Sequence, residues 1–416
     1  MPAETDVVII GGGVVGVTAA LLQAEWGVPC VLCEKGRIAG EQSSRNWGWI
    51  RKQSRDAREM ELMIEAESLW HRFASQSATD FGLRRNGITY VALTDEEMAE
   101  HEAWFETVRP FQLDTQFLNA QQTDEMIGQE GRRFKGAIHT PSDQHAEPSL
   151  AVPAVAELAE AAGATLFEGT AVRTVEREGG RISGVVTEHG RIACQSVIFA
   201  GGAWSRPFLE NMGLSLPQLA VRASAQRTEK APLITKGPVG IKGASVRPRL
   251  DGGYTVGRTI AARFDLIPAA FMHFRRFLPT LRKRWRILKI RMGPEFFGAL
   301  GRHRWGPDQF SPMEGARMLD PTPDPALLSD TLSHAADYFD QLKGVPSAET
   351  WGGMIDVSPD EVPFIGPMPG ADGMILASGL SGHGFGLGPG IGLLAAQLAT
   401  GRDPVTSLTP FKVDRF

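Results

Sequence analysis

The run GGGVVG sets Gly11, Gly13 and Gly16 at the spacing G-x-G-x-x-G, and a single acid, Glu34, stands eighteen residues beyond the last of them. Each glycine position has its own requirement: a tight turn, close backbone approach to a pyrophosphate, and contact between a helix and a strand. A helix opening at Val14 and Val15 would offer its free N–H groups and positive partial charge to the phosphates. The Glu34 carboxylate, with Lys35 after it, can accept hydrogen bonds from a ribose diol and would repel a 2′-phosphate. At the other end of the chain, SGLSGHGFGLGPGIG (378–392) gives seven of fifteen positions to glycine. Glycine loses the most freedom on ordering, so something must approach this backbone too closely for side chains.

The elements that must position these residues follow from the flanking patterns. DVVII reads as a buried parallel strand, VVGVTAALLQAEWG as a helix ended by Gly27, and PCVLCEK as a second strand ending on Glu34. Together they form a βαβ unit. Later, VIFAGGAWSRP is an apolar strand running into Ala200, Gly201 and Gly202, with Trp204 in the following turn. GPGIGLLAAQLATG reads as a helix with Pro389 in its first turn and Gly401 at its end. Helices are expected over 60–81, 94–109, 149–162 and 330–342, and a basic helical stretch over 271–292. Strands are expected around 87–93, 113–119, 165–202 and 219–265.

The first glycine pattern leaves FAD and NAD both open. With the late AGG strand and the C-terminal WGGMIDVSPDEVPFIGPMPG…SGLSGHGFGLGPGIG, however, the chain resembles the D-amino-acid oxidase superfamily of FAD-dependent oxidoreductases along its whole length. The resemblance implies an α/β fold: a discontinuous Rossmann-like FAD-binding domain (1–80, 145–218 and 326–416) and an α+β substrate domain on a mixed, mainly antiparallel sheet (81–144 and 219–325). It implies that Val172 pairs with the adenine through its backbone, and that Ser43 and Ser44 touch phosphate and ribityl. Asn46, Trp47 and Gly48 would pass one side of the flavin. Gly353, Gly382, His383, Gly384, Phe385 and Gly386 would pass the other, or face the substrate chamber. Trp47 departs from the family, where a small residue is commoner, and leaves the chamber's shape open. Sarcosine oxidases attach their flavin through a cysteine in the C-terminal region; this chain has none there, so non-covalent FAD is expected.

The implied reaction removes a hydride from the carbon next to an amine nitrogen, giving an imine that water hydrolyses. It needs positioning more than acid–base groups. A carboxylate clamp is then the feature to find, since arginine's planar fork fits a carboxylate bidentately. Arg222, Arg258 and Arg51 are the candidates, with His383 near the flavin. The substrate would be a small amine or amino acid, and oxygen or quinone the electron acceptor. Three alternatives stay open: a 2-hydroxy-acid or polyol dehydrogenase on the same fold, an aromatic monooxygenase (disfavoured, with no NAD(P)H signature), and a non-catalytic flavin-binding subunit of an oxidase complex.

Composition sets the outer limits. The 416 residues exceed one ordinary core, and a formal charge of −5 gives no reason to expect nucleic acid. No metal cluster stands out. Cys30, Cys33 and Cys194 cannot form a disulfide framework, and Cys30 and Cys33, three apart on a strand, point to opposite faces. No signal peptide or spanning run is evident, so a cytoplasmic location is expected. The basic segment 271–292 reads as a cap helix or subunit contact, or else as a peripheral contact with the inner membrane. Oligomeric state is not legible.

Overall fold

The computed structural model describes residues 1–128, 134–258, 262–286 and 288–416. Among them, a six-stranded sheet runs in the order Phe364–Pro367, Met374–Ser378, Ser196–Phe199, Val7–Ile10, Cys30–Cys33, Thr165–Phe167. All pairings are parallel except the first, a hairpin. Its central strands are buried on both faces, as their unbroken β-branched and apolar runs require. The first helix, Val14–Glu25, starts from Gly13 in extended conformation. A three-stranded antiparallel meander, Val172–Glu178, Arg181–Thr187 and Gly190–Ala193, covers one side.

A second, ten-stranded mixed sheet carries Leu219–Thr228 near its middle. Ser347–Val357 pairs with that strand along its length, and the helix Pro325–Tyr338 packs Ala335 against Val246, Tyr254 and Val256 of the sheet. Residues 326–357, expected with the FAD-binding part, therefore pack with the large sheet. The two parts are joined by a buried pair. Glu147, which caps the helix Pro148–Ala161, receives both Arg247 Nη atoms at 2.9 Å, and neither side chain is more than 4% exposed. A bidentate pair fixes both register and orientation there.

The C-terminal helix differs from expectation. It spans Gly384–Ala399, so it begins five residues before Pro389, and the glycines 384–392 lie within it. They make room for helices. A Cβ at Gly390 would lie 2.4 Å from the Leu62 carbonyl oxygen of the helix Met60–Gln76, and one at Gly392 2.8 Å from the Val15 carbonyl oxygen. Much of that glycine run thus answers to helix packing, leaving 379–383 as the loop proper.

The basic segment also differs. It forms two helices, Pro268–Met272 and Phe274–Arg284, followed by the edge strand Leu288–Arg291, which pairs in parallel with Ala262–Asp265. Residue 287 of this segment, and 259–261 of the strand-rich stretch before it, lie outside the described residues. All three cysteines are free and buried. Burial raises Cys30 to about 11, and Cys33 and Cys194 to about 12.

Gly390→Val would force the C-terminal helix off its neighbour. A loss of about 1–3 kcal/mol is expected in denaturant unfolding, whereas an unchanged midpoint would contradict this account of the glycine run.

Candidate active site

At the carboxyl ends of Val7–Ile10, Cys30–Cys33 and Ser196–Phe199 lies a cleft, the place where open α/β sheets bind ligands. It is lined by Gly11, Gly13, Val14, Val15, Glu34, Lys35, Ser43, Val172, Ala200, Gly201, Gly202 and Trp204, so these twelve expected contacts are brought together. The turn at Gly11 has φ +110°, and a Cβ there would sit 2.4 Å from the Ala200 carbonyl oxygen. Gly16 does not line the cleft. It lets the helix press on that turn, its absent Cβ falling 1.9 Å from the Gly11 carbonyl oxygen. The Val14 amide donates to Ser43 Oγ at 2.9 Å, while Val15 and Gly16, as the next two helical residues, have no intrahelical acceptor.

Glu34 is held from two sides. Gly12 N donates to its Oε2 and Gly36 N to its Oε1, both at 2.7 Å. Burial nonetheless pushes its carboxyl up, against the pull of those amides and of Lys35. Lys35 itself is turned to Glu41 and to the Arg317 carbonyl, both at 2.6 Å, and lies 4.9 Å from the centre of the Trp204 ring. A cradle that side chains would fill, helix-end amides and an acid at the far strand match the needs of a dinucleotide. The residues present fit FAD.

The far end of the cleft is closed by groups the sequence reading did not single out. Asp356 and Ser378 line it, and Asp356 Oδ2 accepts from Gly379 N at 2.6 Å and from Gln218 Nε2 at 3.0 Å. This carboxylate fixes the loop that precedes the C-terminal helix. Asp356 belongs to the run WGGMIDVSPD, whose pattern does not mark it as buried.

Several other expected contacts do not line the cleft. Ser44 Oγ donates to the Glu41 carbonyl, and Asn46 folds its amide onto the carbonyls of Gln42 and Ser43 while accepting from Gly48 N. Gly48, at φ +78°, is packed beneath the Ala146 carbonyl. These residues shape the turn. Gly353 faces Arg45, and Gly382, at φ +85°, lies beside Ile355. Phe385 is turned into the core against Trp70, ring centres 4.9 Å apart, and Trp70 Nε1 donates to the Gly386 carbonyl. Gly384 opens the helix, its absent Cβ 2.4 Å from Leu380 Cδ1.

His383 sits in a buried charged cluster. Its Nε2 lies 3.1 Å from the Glu361 carbonyl oxygen and 3.6 Å from Glu59 Oε1, while its Nδ1 has no partner among the described residues. Burial, with Arg55 and Arg51 nearby, holds the imidazole well below its ordinary range and therefore neutral. Burial likewise raises Glu59 to about 7.

The arginines separate into two faces. Arg222 shares a sheet face with Ser224 and Gln226, which bond residues 324 and 328, and it pairs with Asp265 and Glu295. Arg258 pairs with Asp330 of the helix Pro325–Tyr338. Both point away from the FAD-binding part, because the strand alternation that buries Val256 and Tyr254 under that helix carries Arg258 with it. Arg51 stays on the near side, its guanidinium 5.4 Å from the centre of the Tyr90 ring and bonded to the Gln53 carbonyl. Trp47 lies against Gly257 and edge-on to Trp49, which meets Tyr90 at 5.5 Å.

The guanidinium that sequence reasoning missed is Arg55. It is 7% exposed, its Nε donates to the Arg51 carbonyl at 3.3 Å, and it makes no ion pair among the described residues. Burial lowers it to about 9. Arg206 and Arg247, equally buried, each hold a carboxylate. In the sequence Arg55 sits within RKQSRDARE, a polar run that reads as solvated surface.

This geometry defines a Rossmann-like dinucleotide-binding protein with a second sheet facing the nucleotide cleft. Residues 6–398 match the family model described as FAD dependent oxidoreductase, and the chain belongs to that family. It is an FAD-dependent oxidoreductase. It is similar to glycine oxidase from Pseudomonas aeruginosa, 25% identical over 413 residues and covering 97% of each chain. Among solved structures it resembles L-amino acid deaminase from Proteus myxofaciens in complex with anthranilate, at 28% identity and TM-score 0.94, covering 100% of this chain and 94% of that one. L-amino acid deaminase from Proteus vulgaris follows at 27% and 0.93, covering 100% and 98%.

A carboxyl raised in the fold stabilises the protein fully only at low pH; for Glu59 that contribution is lost as pH rises from 4.5 toward about 7. Glu59→Gln should therefore gain in melting temperature relative to the parent as pH is raised across that window. Parallel melting curves for the two proteins would show the raised carboxyl to be absent.

Proposed function

We propose that this protein oxidises the C–N bond of a small amino acid. Substrate loses a proton from its ammonium to solvent and a hydride from its α-carbon, and the imine takes up water to release ammonia and a carbonyl product. Non-covalently bound FAD supplies the hydride acceptor. Likeness to glycine oxidase and to the L-amino acid deaminases supports the reaction class. Arg55 is the observation that carries the substrate class. A buried guanidinium without a counter-ion is costly, and a substrate carboxylate would relieve that cost. Arg51, beside it, completes a cationic corner.

Around that corner, Trp47, Trp49 and Tyr90 form an aromatic wall that excludes water and orients the substrate. Neutral His383 adds no charge to compete with the carboxylate for the arginines. Gly12 to Gly16, Glu34 and Ser43 would hold the nucleotide half of the cofactor. The first-turn amides of the C-terminal helix would direct positive partial charge at the far end of the cleft.

Anaerobic mixing with amino acids, simple amines and 2-hydroxy acids tests the reading. Amino acids should bleach the yellow absorbance; bleaching by hydroxy acids alone, or by nothing, would overturn it. Arg55→Met should raise KM for amino acids by about one to three orders of magnitude, with a much smaller effect on amines lacking a carboxylate. Acid precipitation should leave all the flavin in the supernatant.

A further inference from the structure

Seven of the seventeen exposed large apolar side chains among the described residues fall within 271–297. Trp285 is 62% exposed, whereas the other eight tryptophans are buried or half-buried; Met292 is 76% exposed and Phe297 82%. Phe271, Phe296 and Phe297 form one contiguous group, with ring centres 6.5 and 5.1 Å apart. The helix Phe274–Arg284 buries Phe277 alone, in a small cluster with Phe264 and Ile267. These side chains are not a cap packed on their own domain. A concentration of this kind marks an interaction surface.

Charge selects the partner. Residues 271–297 hold eight arginines and lysines against one acid, Glu295, in a chain whose formal charge is −5. Arg284 is tied to Glu361, and Lys289 lies 3.8 Å from Asp324, which anchors the segment to the rest of the fold. Arg275, Arg276, Arg282, Arg286 and Arg291 make no ion pair among the described residues. A second copy docked symmetrically would set these cations against themselves. An anionic bilayer instead offers phosphates to the arginines and a headgroup boundary to the aromatic rings. No described helix is long and apolar enough to cross a membrane, so the contact would lie at the surface.

We propose that residues 268–297 dock this enzyme on an anionic lipid bilayer, with Phe271, Trp285, Met292 and Phe297 in the headgroup boundary and the five unpaired arginines on lipid phosphates. The test is co-sedimentation of the FAD-loaded protein with vesicles of phosphatidylcholine alone or mixed with phosphatidylglycerol. Binding to the mixed vesicles should be about tenfold stronger or more, and should weaken as salt is added. Trp285→Ser with Phe297→Ser, and separately Arg282→Glu with Arg286→Glu, should each lower that binding about tenfold while leaving the flavin absorbance and circular dichroism unchanged. No binding to anionic vesicles at low salt, or binding that neither pair alters, would overturn the proposal. So would a dimer of the parent protein that both pairs of substitutions dissociate, which would assign the patch to a second copy of the chain. The readout needs no turnover, so its failure leaves the C–N oxidation reading untouched.

Discussion

The structure depends on how closely three pieces of backbone approach one another at the open end of the parallel sheet. The Gly11 turn lies beneath the Ala200 carbonyl, and Gly16 presses the first helix onto that same turn. Any side chain at either position would part the strands from the helix and turn its first-turn amides away from the cleft. The C-terminal helix repeats the device with Gly390 and Gly392 against the neighbouring helices. Its first turn is brought to the far end of the cleft by the same sparing of side-chain volume. The nucleotide site and the packing of the helices behind it are thus one geometric problem.

The buried charges fall into two groups. Glu147 with Arg247, and Asp356 with the amides of its loop, hold partners of their own within the fold and act as fasteners between parts of the chain. Arg55, Glu59 and His383 are buried without being fully satisfied: Arg55 holds no carboxylate, and Glu59 Oε1 and His383 Nδ1 lack hydrogen-bond partners among the described residues. A fold tolerates such groups where another molecule completes them. They lie between the loop after Trp49 and the start of the C-terminal helix, the corner proposed above to receive the substrate carboxylate.

What the sequence showed depended on whether a residue's role was local. Gly11, Gly13 and Glu34 answer to a turn and two strands within thirty-five residues, and their spacing revealed them. Arg222 and Arg258 had the right chemistry, but which sheet face they share is decided by a helix more than sixty residues away, at 325–338. Pro389 invited a helix start. The true start at Gly384 is set by packing against two distant helices, which local propensity does not carry. The basic segment has helical spacing through Met292, yet its last part pairs with Ala262–Asp265 because an open strand edge was available there. Arg55 was hidden for the same reason: burial conferred by partners remote in sequence leaves no local mark.

The three cysteines have a practical consequence. With every thiol enclosed and its ionisation moved to about 11 or higher, the thiolate fraction near neutrality is minute. A maleimide dye or spin label given to the folded protein therefore finds almost no native target. One cysteine introduced on the surface would become its sole attachment point, with no native thiol to be removed first.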